Sequence, residues 1–284
     1  MAEELAIPVF RGRKTEHEKF AGAEITWSCE GMMRDGKALQ MGTSHELGQN
    51  FARAFRIQFS DQNGQLRHVW QTSWGATTRL LGAMIMVHGD DHGLRVPPRL
   101  APTQAVVLVA RGGEGVLEAA GQIADELLRG GIRSELDDRL EISLGRRIVD
   151  HELRGTPLRV ELGPRELAAR QVTVARRARG CKEIVPLAAL AGQLRHMLQV
   201  DQRELLAQAA ALCSGKTESV QTVQDAQEVA ARGFARIPWR AVGPDGEDRL
   251  AQRGISVRCL LHQDGRPVDD PDEHGVEALL ARAY

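Results

Sequence analysis

The sequence is poor in the features that announce extracellular, membrane or strongly basic proteins. Its four cysteines, Cys29, Cys181, Cys213 and Cys259, are scattered without a CxxC pair. With no signal-like stretch at the N-terminus, that spacing argues against a disulfide scaffold and for a reducing, cytoplasmic setting. No apolar run approaches the ~18–20 residues of a membrane-spanning helix, so no membrane partner is expected. Aromatics make up 4% of the 284 residues, which leaves Ala, Val and Leu to supply most of the packing. The formal net charge of −1 excludes a global field for nucleic acid, so any such surface must be local.

What is present reads as two or three domains. Residues 1–98 mix strand-like stretches (24–28, 56–60, 68–72) with helical ones (48–55, 77–88), an antiparallel sheet carrying helices. The N-terminal EELAIPV runs directly into structured-looking sequence, as in a chain entered part-way through a domain. VPPRLAP at 96–102 holds three prolines and reads as a stiff linker, the best boundary in the chain. A βαβ rhythm follows in 99–200. QAVVLVA is a buried strand, VLEAAGQIADELLRGG an amphipathic helix closed by glycine, and 133–136, 157–163 and 171–177 are further strands. A helical stretch takes in 148–153, and the helix at 187–200 closes a compact α/β unit with a mixed sheet. Residues 201–284 form a third, smaller region with a helix at 201–213 and a strand at 255–261.

Several stretches carry candidate chemistry, each with a plainer alternative. In TSWGATTRLLGAMIMVHGDD, Arg79 is either a snorkelling charge on a buried helix or, with Thr77 and Thr78, a phosphate site at a helix start. The residues alone favour the first. QMGTSHELGQN reads as a tight loop before a helix, with Thr43 or Ser44 as N-cap and Glu46 in the first turn. Its alternative is that Gln40, Thr43 and His45 face a polar small ligand. GRKTEHEKFAGAE is either a solvated charge run or a loop placing Phe20 over a ligand. His88, Asp90, Asp91 and His92 are too crowded to wrap one metal ion and read as a hydrogen-bonded turn. Arg139, Arg146, Arg147, Arg154, Arg159 and Arg165 are either a salt-bridged surface or an RNA-contacting face.

Taken together, AIPVFRGRKTEHEKFAGA, MMRDGKALQMGTSHELGQNFARAF, VWQTSWGATTRLLGAMIMVHGDDHGL, PPRLAP, ELRGTPLRVELGPREL and the closing ARAY resemble prolyl-tRNA synthetases, in the form shared by archaea, eukaryotes and a subset of bacteria. The resemblance runs from about residue 3 to Tyr284. It implies a multi-domain α/β and α+β protein. Residues 1–98 would be the C-terminal part of a class II antiparallel-sheet catalytic domain, 99–200 an α/β anticodon-binding domain, and 201–284 a small α+β domain ending in tyrosine.

By the same resemblance the activity is proline–tRNA ligation, with ATP and Mg²⁺ and with L-proline and tRNA as partners. Arg79 matches the arginine of the third class II motif, which meets the ATP phosphates. Gln40, Thr43 and Thr77 match further ATP contacts. His45, Phe20, Ser73, Trp74 and Gly75 match the proline pocket, and Arg139, Arg147 and Arg165 are the candidate tRNA contacts. The first two class II motifs are missing, so the chain reads as a C-terminal portion of an enzyme expected to be a homodimer when whole. A non-catalytic tRNA-binding or regulatory module is the alternative. Relatives that bind zinc do so through several cysteines of the last domain. Here Cys259 is left with Arg240 after Trp239, and no zinc is expected. SLGRRIVDHEL also departs from the family pattern.

Overall fold

The computed structural model describes residues 1–284. Strands β1–β6 are Phe10–Arg13, Ile25–Met32, Ala38–Gly48, Gln58–Ser60, Leu66–His68 and Gln71–Gly75. Strands β7–β11 are Ala105–Val109, Ser134–Asp137, Leu158–Leu162, Gln171–Arg176 and Cys181–Pro186. Strands β12–β15 are Thr217–Ser219, Phe234–Pro238, Ser256–His262 and Val276–Ala281. Helices α1–α5 are Ala2–Leu5, Asn50–Ala54, Arg79–His88, Val116–Arg129 and Leu144–Arg154. Helices α6–α9 are Pro164–Ala168, Leu190–Gly215, Val223–Ala230 and Trp239–Ala251.

The chain folds into two compact units, one of residues 1–7 with 84–209 and the other of 8–83 with 210–284. This grouping differs from the three consecutive regions read from the sequence. Residues 10–75 and 217–281 build one eight-stranded sheet, in the order β12-β13-β15-β14-β1-β2-β3-β6. The join is the antiparallel pairing of β1 with β14, where Arg13 faces Leu260. Gly12 permits it: a Cβ there would stand 2.4 Å from the Leu260 carbonyl oxygen and 2.7 Å from Cys259 Sγ. α7 runs unbroken through position 200.

The other unit carries the mixed sheet β11-β10-β9-β7-β8. β7 pairs in parallel with β8 and β9, and all five of its residues are buried, as a continuous AVVLV run demands of a central strand. α4 covers the sheet through Val116, Ala120, Ile123, Ala124 and Leu127, the stripe of a 3.6-residue period. The proline-rich 96–102 is not a free linker. Val96 N–H donates to the Gly155 carbonyl, Arg99 N–H to Gln202 Oε1, and Pro97 and Pro98 are buried. Gly155, at φ 73°, is needed for that approach, since a Cβ would lie 2.7 Å from the Leu94 side chain.

The QMGTSHELGQN stretch departs most from expectation. It is no capped loop but part of β3, an eleven-residue strand between β2 and β6. Its polar side chains are tolerated because the facing side of β2 is also polar. Thr26, Ser28 and Glu30 of β2 are all buried.

Candidate functional site

Cross-strand register assembles the site. Thr26 of β2, His45 of β3 and Ser73 of β6 are directly paired, and Ser28, Thr43 and Gly75 form the next row on the same face. Thr26 Oγ1 accepts the Phe20 amide at 3.1 Å and lies 3.0 Å from His45 Nδ1. The Phe20 ring closes over His45 with centroids 4.8 Å apart. Burial pushes the His45 imidazole below its ordinary value, which favours the neutral ring. With Thr26 Oγ1 already accepting one hydrogen bond, its hydroxyl proton is best directed at Nδ1, leaving Nε2–H to donate outward.

The structure thus brings together Phe20, His45, Ser73, Thr43 and Gly75. Trp74 does not join them. Strand alternation puts it on the opposite face from Ser73 and Gly75, beside Ser44, and it is 78% exposed. Thr26 is the residue the sequence reading missed. Its signal was the alternation of polar Thr26, Ser28 and Glu30 with Ile25, Trp27 and Cys29, which sets the polar side inward.

Arg79 opens α3, with its own N–H donating to Thr77 Oγ1 at 3.3 Å. Its guanidinium reaches the Gln40 carbonyl at 3.4 Å and has no carboxylate partner. Gln40 and Arg79 are therefore neighbours, while Thr77 serves locally as a cap. An exposed cation at the start of a ten-residue helix suits an anionic group. Beyond β6 the sheet has an open edge, and Trp70 just before that strand and Trp74 within it are exposed.

The candidate metal cluster is a turn. Asp90 N–H and the Gly93 carbonyl pair, His92 N–H donates to Asp90 Oδ1, and His88 Nε2 sits 2.8 Å from the Leu5 carbonyl. Arg177 grips Asp90 from both guanidinium ends, which holds its carboxyl at about 2. Cys259 is an apolar core side chain packed with Phe234 and Leu261, and burial pushes its thiol up to about 12.

In the α/β unit, Arg147 is not a surface arginine. It is 1% exposed and donates to the Asp137 carboxylate, the Asp137 carbonyl and the Val109 carbonyl. Its face of α5 packs inward, so no RNA phosphate reaches it, and the reading of Arg147 as a tRNA contact is corrected. Arg139 grips the same carboxylate bidentately at 3.1 and 2.8 Å, and His151 Nε2 lies 2.8 Å from it. Burial would raise the Asp137 carboxyl, but Arg139, His151 and Arg147 together hold it well below the usual carboxylate range. Arg165 stands exposed on α6.

A basic cavity of about 270 Å³ opens elsewhere in this unit, lined by Arg159, Arg176, Arg177, Lys182, His92 and Glu152. Arg159 bridges Glu152 and Glu161, and Lys182 also pairs with Glu161. Arg176 spans Glu183 and the fully buried Asp201.

Residues 104–197 match the family described as "Anticodon binding domain". Over 285 aligned residues, covering all of the chain, it is 53% identical to "Proline--tRNA ligase" of Frankia alni and to "Proline--tRNA ligase 2" of Streptomyces avermitilis. Over 99% of the chain it is 46% identical to "Proline--tRNA ligase" of Rubrobacter xylanophilus. It spans 61%, 60% and 60% of these relatives' own lengths. Along its whole length the chain is similar to proline–tRNA ligases, and its residues 104–197 match the anticodon-binding domain family.

Proposed function

We propose that this chain supplies part of a proline–tRNA ligase, acting in the cytoplasm with ATP, Mg²⁺, L-proline and tRNA, as part of a homodimer when whole. The observation that carries the reading is the polar row Thr26–His45–Ser73 roofed by Phe20, with the unpaired Arg79 opening α3 on the same unit's sheet side. In the first step the proline carboxylate oxygen attacks the α-phosphorus of ATP and pyrophosphate leaves. A tRNA ribose hydroxyl then attacks the prolyl carbonyl carbon and AMP leaves.

The residues' work is positioning and charge stabilisation. Phe20 and His45 with Ser73 and Gly75 bound a small pocket for the amino acid. Arg79, with Gln40, Thr43 and Thr77 nearby, faces the phosphates. Mg²⁺ arriving with ATP supplies further countercharge. It would be held chiefly by the phosphates, since no three His, Cys, Asp or Glu side chains gather as a cage.

For the RNA, the exposed Lys182 at the rim of the basic cavity, with exposed Arg165 and half-exposed Arg139, supplies the cations that phosphates would meet.

The test is amino-acid-dependent ATP–pyrophosphate exchange by the whole protein that carries this chain. Proline should support exchange above every other amino acid. Preference for another amino acid would overturn the reading. Absence of exchange with retained tRNA binding would favour a non-catalytic tRNA-binding module instead.

A further inference from the structure

The turn that presents Phe20 is fastened by residues more than two hundred positions away in sequence. It starts where β1 ends: Lys14 N–H donates to the Thr26 carbonyl at 2.7 Å, and Lys19 N–H to the Thr15 carbonyl at 2.9 Å. Thr15, 3% exposed, receives the Glu18 amide on Oγ1 and sends its hydroxyl proton to Glu247 Oε1 at 2.7 Å. Glu247 is equally buried and lies in the half of α9 that follows the break at Gly243–Pro244. Beside it, Lys14 Nζ stands 3.1 Å from Glu30 Oε1, and Arg258 of β14 holds the other oxygen of Glu30 with Nε and Nη2 at 3.0 and 2.9 Å. Both residues at the base of the turn are therefore anchored on buried carboxylates. One of those carboxylates, and the arginine that braces the other, come from residues 239–262.

We propose that Glu247 is a positioning residue for the amino-acid pocket: by accepting the Thr15 hydroxyl it fixes the turn that sets Phe20 against His45. Identifying the pocket's ligand as proline rests on the function proposed above; the fastening itself does not. Thr15 is the point where two directions meet. Its carbonyl and Oγ1 organise the turn toward Phe20, while its hydroxyl proton points to α9. Loss of the acceptor leaves a buried hydroxyl without a partner, which a flexible turn relieves by moving. Displacement of a ring in contact with a small ligand by ~1 Å is enough to weaken its grip.

Three variants separate the possibilities. Glu247→Gln keeps an acceptor oxygen, Glu247→Ala removes it, and the near-isosteric Thr15→Val removes the donor, and with it the acceptor of the Glu18 amide, while filling its volume. Amide hydrogen exchange on the chain should show amides 18–20 and 23 losing protection on the order of tenfold in Glu247→Ala and Thr15→Val. Protection in β13–β15 should stay, and Glu247→Gln should restore the turn. In the whole ligase, the same two variants should raise KM for proline about tenfold, with kcat and the KM for ATP little changed. Unchanged protection of amides 19, 20 and 23 in Glu247→Ala would overturn the proposal, and so would equal loss across the whole sheet, which marks a core residue only. If the unaltered protein shows no proline-dependent exchange, the functional reading falls, while the exchange pattern of the turn still decides the fastening.

Discussion

Around the start of α3 a guanidinium stands exposed without a carboxylate, whereas in the α/β unit Arg139, Arg147, Arg159, Arg176 and Arg177 each hold one. The difference separates two uses of arginine. A cation locked to Asp137 and to backbone carbonyls has its donors spent and supports the fold. A cation with free donors keeps its field for a ligand. The α/β unit thus spends these five arginines largely on its own scaffold. The sheet around β3 and β6 leaves its site open and its edge uncovered.

The sharpest break of this comparison is Arg147→Met. If Arg147 is structural, removing it takes one of three partners from the buried Asp137 carboxylate, beside Arg139 and His151, and deprives the Val109 carbonyl of its guanidinium donor. Stability should then fall by roughly 3 kcal/mol in urea unfolding. Loss of tRNA affinity at an unchanged midpoint would return Arg147 to the RNA-contacting face. Arg79→Ala should do the reverse. Stability should hold within about 0.5 kcal/mol, while proline-dependent exchange should drop by about 10²–10³. Arg79→Lys should recover part of the loss, since a point charge replaces the fork. A destabilised Arg79→Ala with normal exchange would make Arg79 a scaffold residue like Arg147.

This contrast was only half legible in the sequence. Local patterns showed the α/β unit well: the AVVLV run marked its central strand, and the apolar stripe of α4 marked the covering helix. They did not show that β1 pairs with β14. A pairing between residues some 250 positions apart leaves no periodic trace, and the only hint was Gly12 itself. β3 was misread as a capped loop because Thr43, Ser44 and Glu46 are good capping residues. What overrides that preference is a neighbouring strand that also turns polar groups inward. Nor could spacing tell a buried arginine from a solvated one. The identity of Arg147 gives no sign of Asp137, which lies on another element.

Thr26→Val sharpens the comparison inside the open site. It leaves the Phe20 amide without its acceptor and His45 Nδ1 without a partner, at about 1–3 kcal/mol. KM for proline should rise while RNA affinity stays, checked by exchange kinetics beside filter binding. An unchanged KM would remove Thr26 from the site.

The smallest expected effect tests the locked cations in acid. The two ends of Arg177 hold the Asp90 carboxyl at about 2, below the ~3.9 of an unfolded aspartate. A depressed carboxylate stabilises the fold fully above its unfolded value and loses that contribution as pH falls through its folded one. The Asp90–Arg177 contribution should therefore fade between about pH 4 and pH 2 and be constant above pH 5. Asp90→Asn should lower stability at pH 7 and flatten the acid limb over that window, since an amide has no proton to take up. Because Asp90 is partly exposed, solvent screening keeps the difference small. A double-mutant cycle with Arg177→Met, read by urea unfolding at pH 7 and pH 2.5, isolates the pair from the other carboxylates. Coupling that persists undiminished at pH 2.5 would show that the Asp90 charge is not what Arg177 holds.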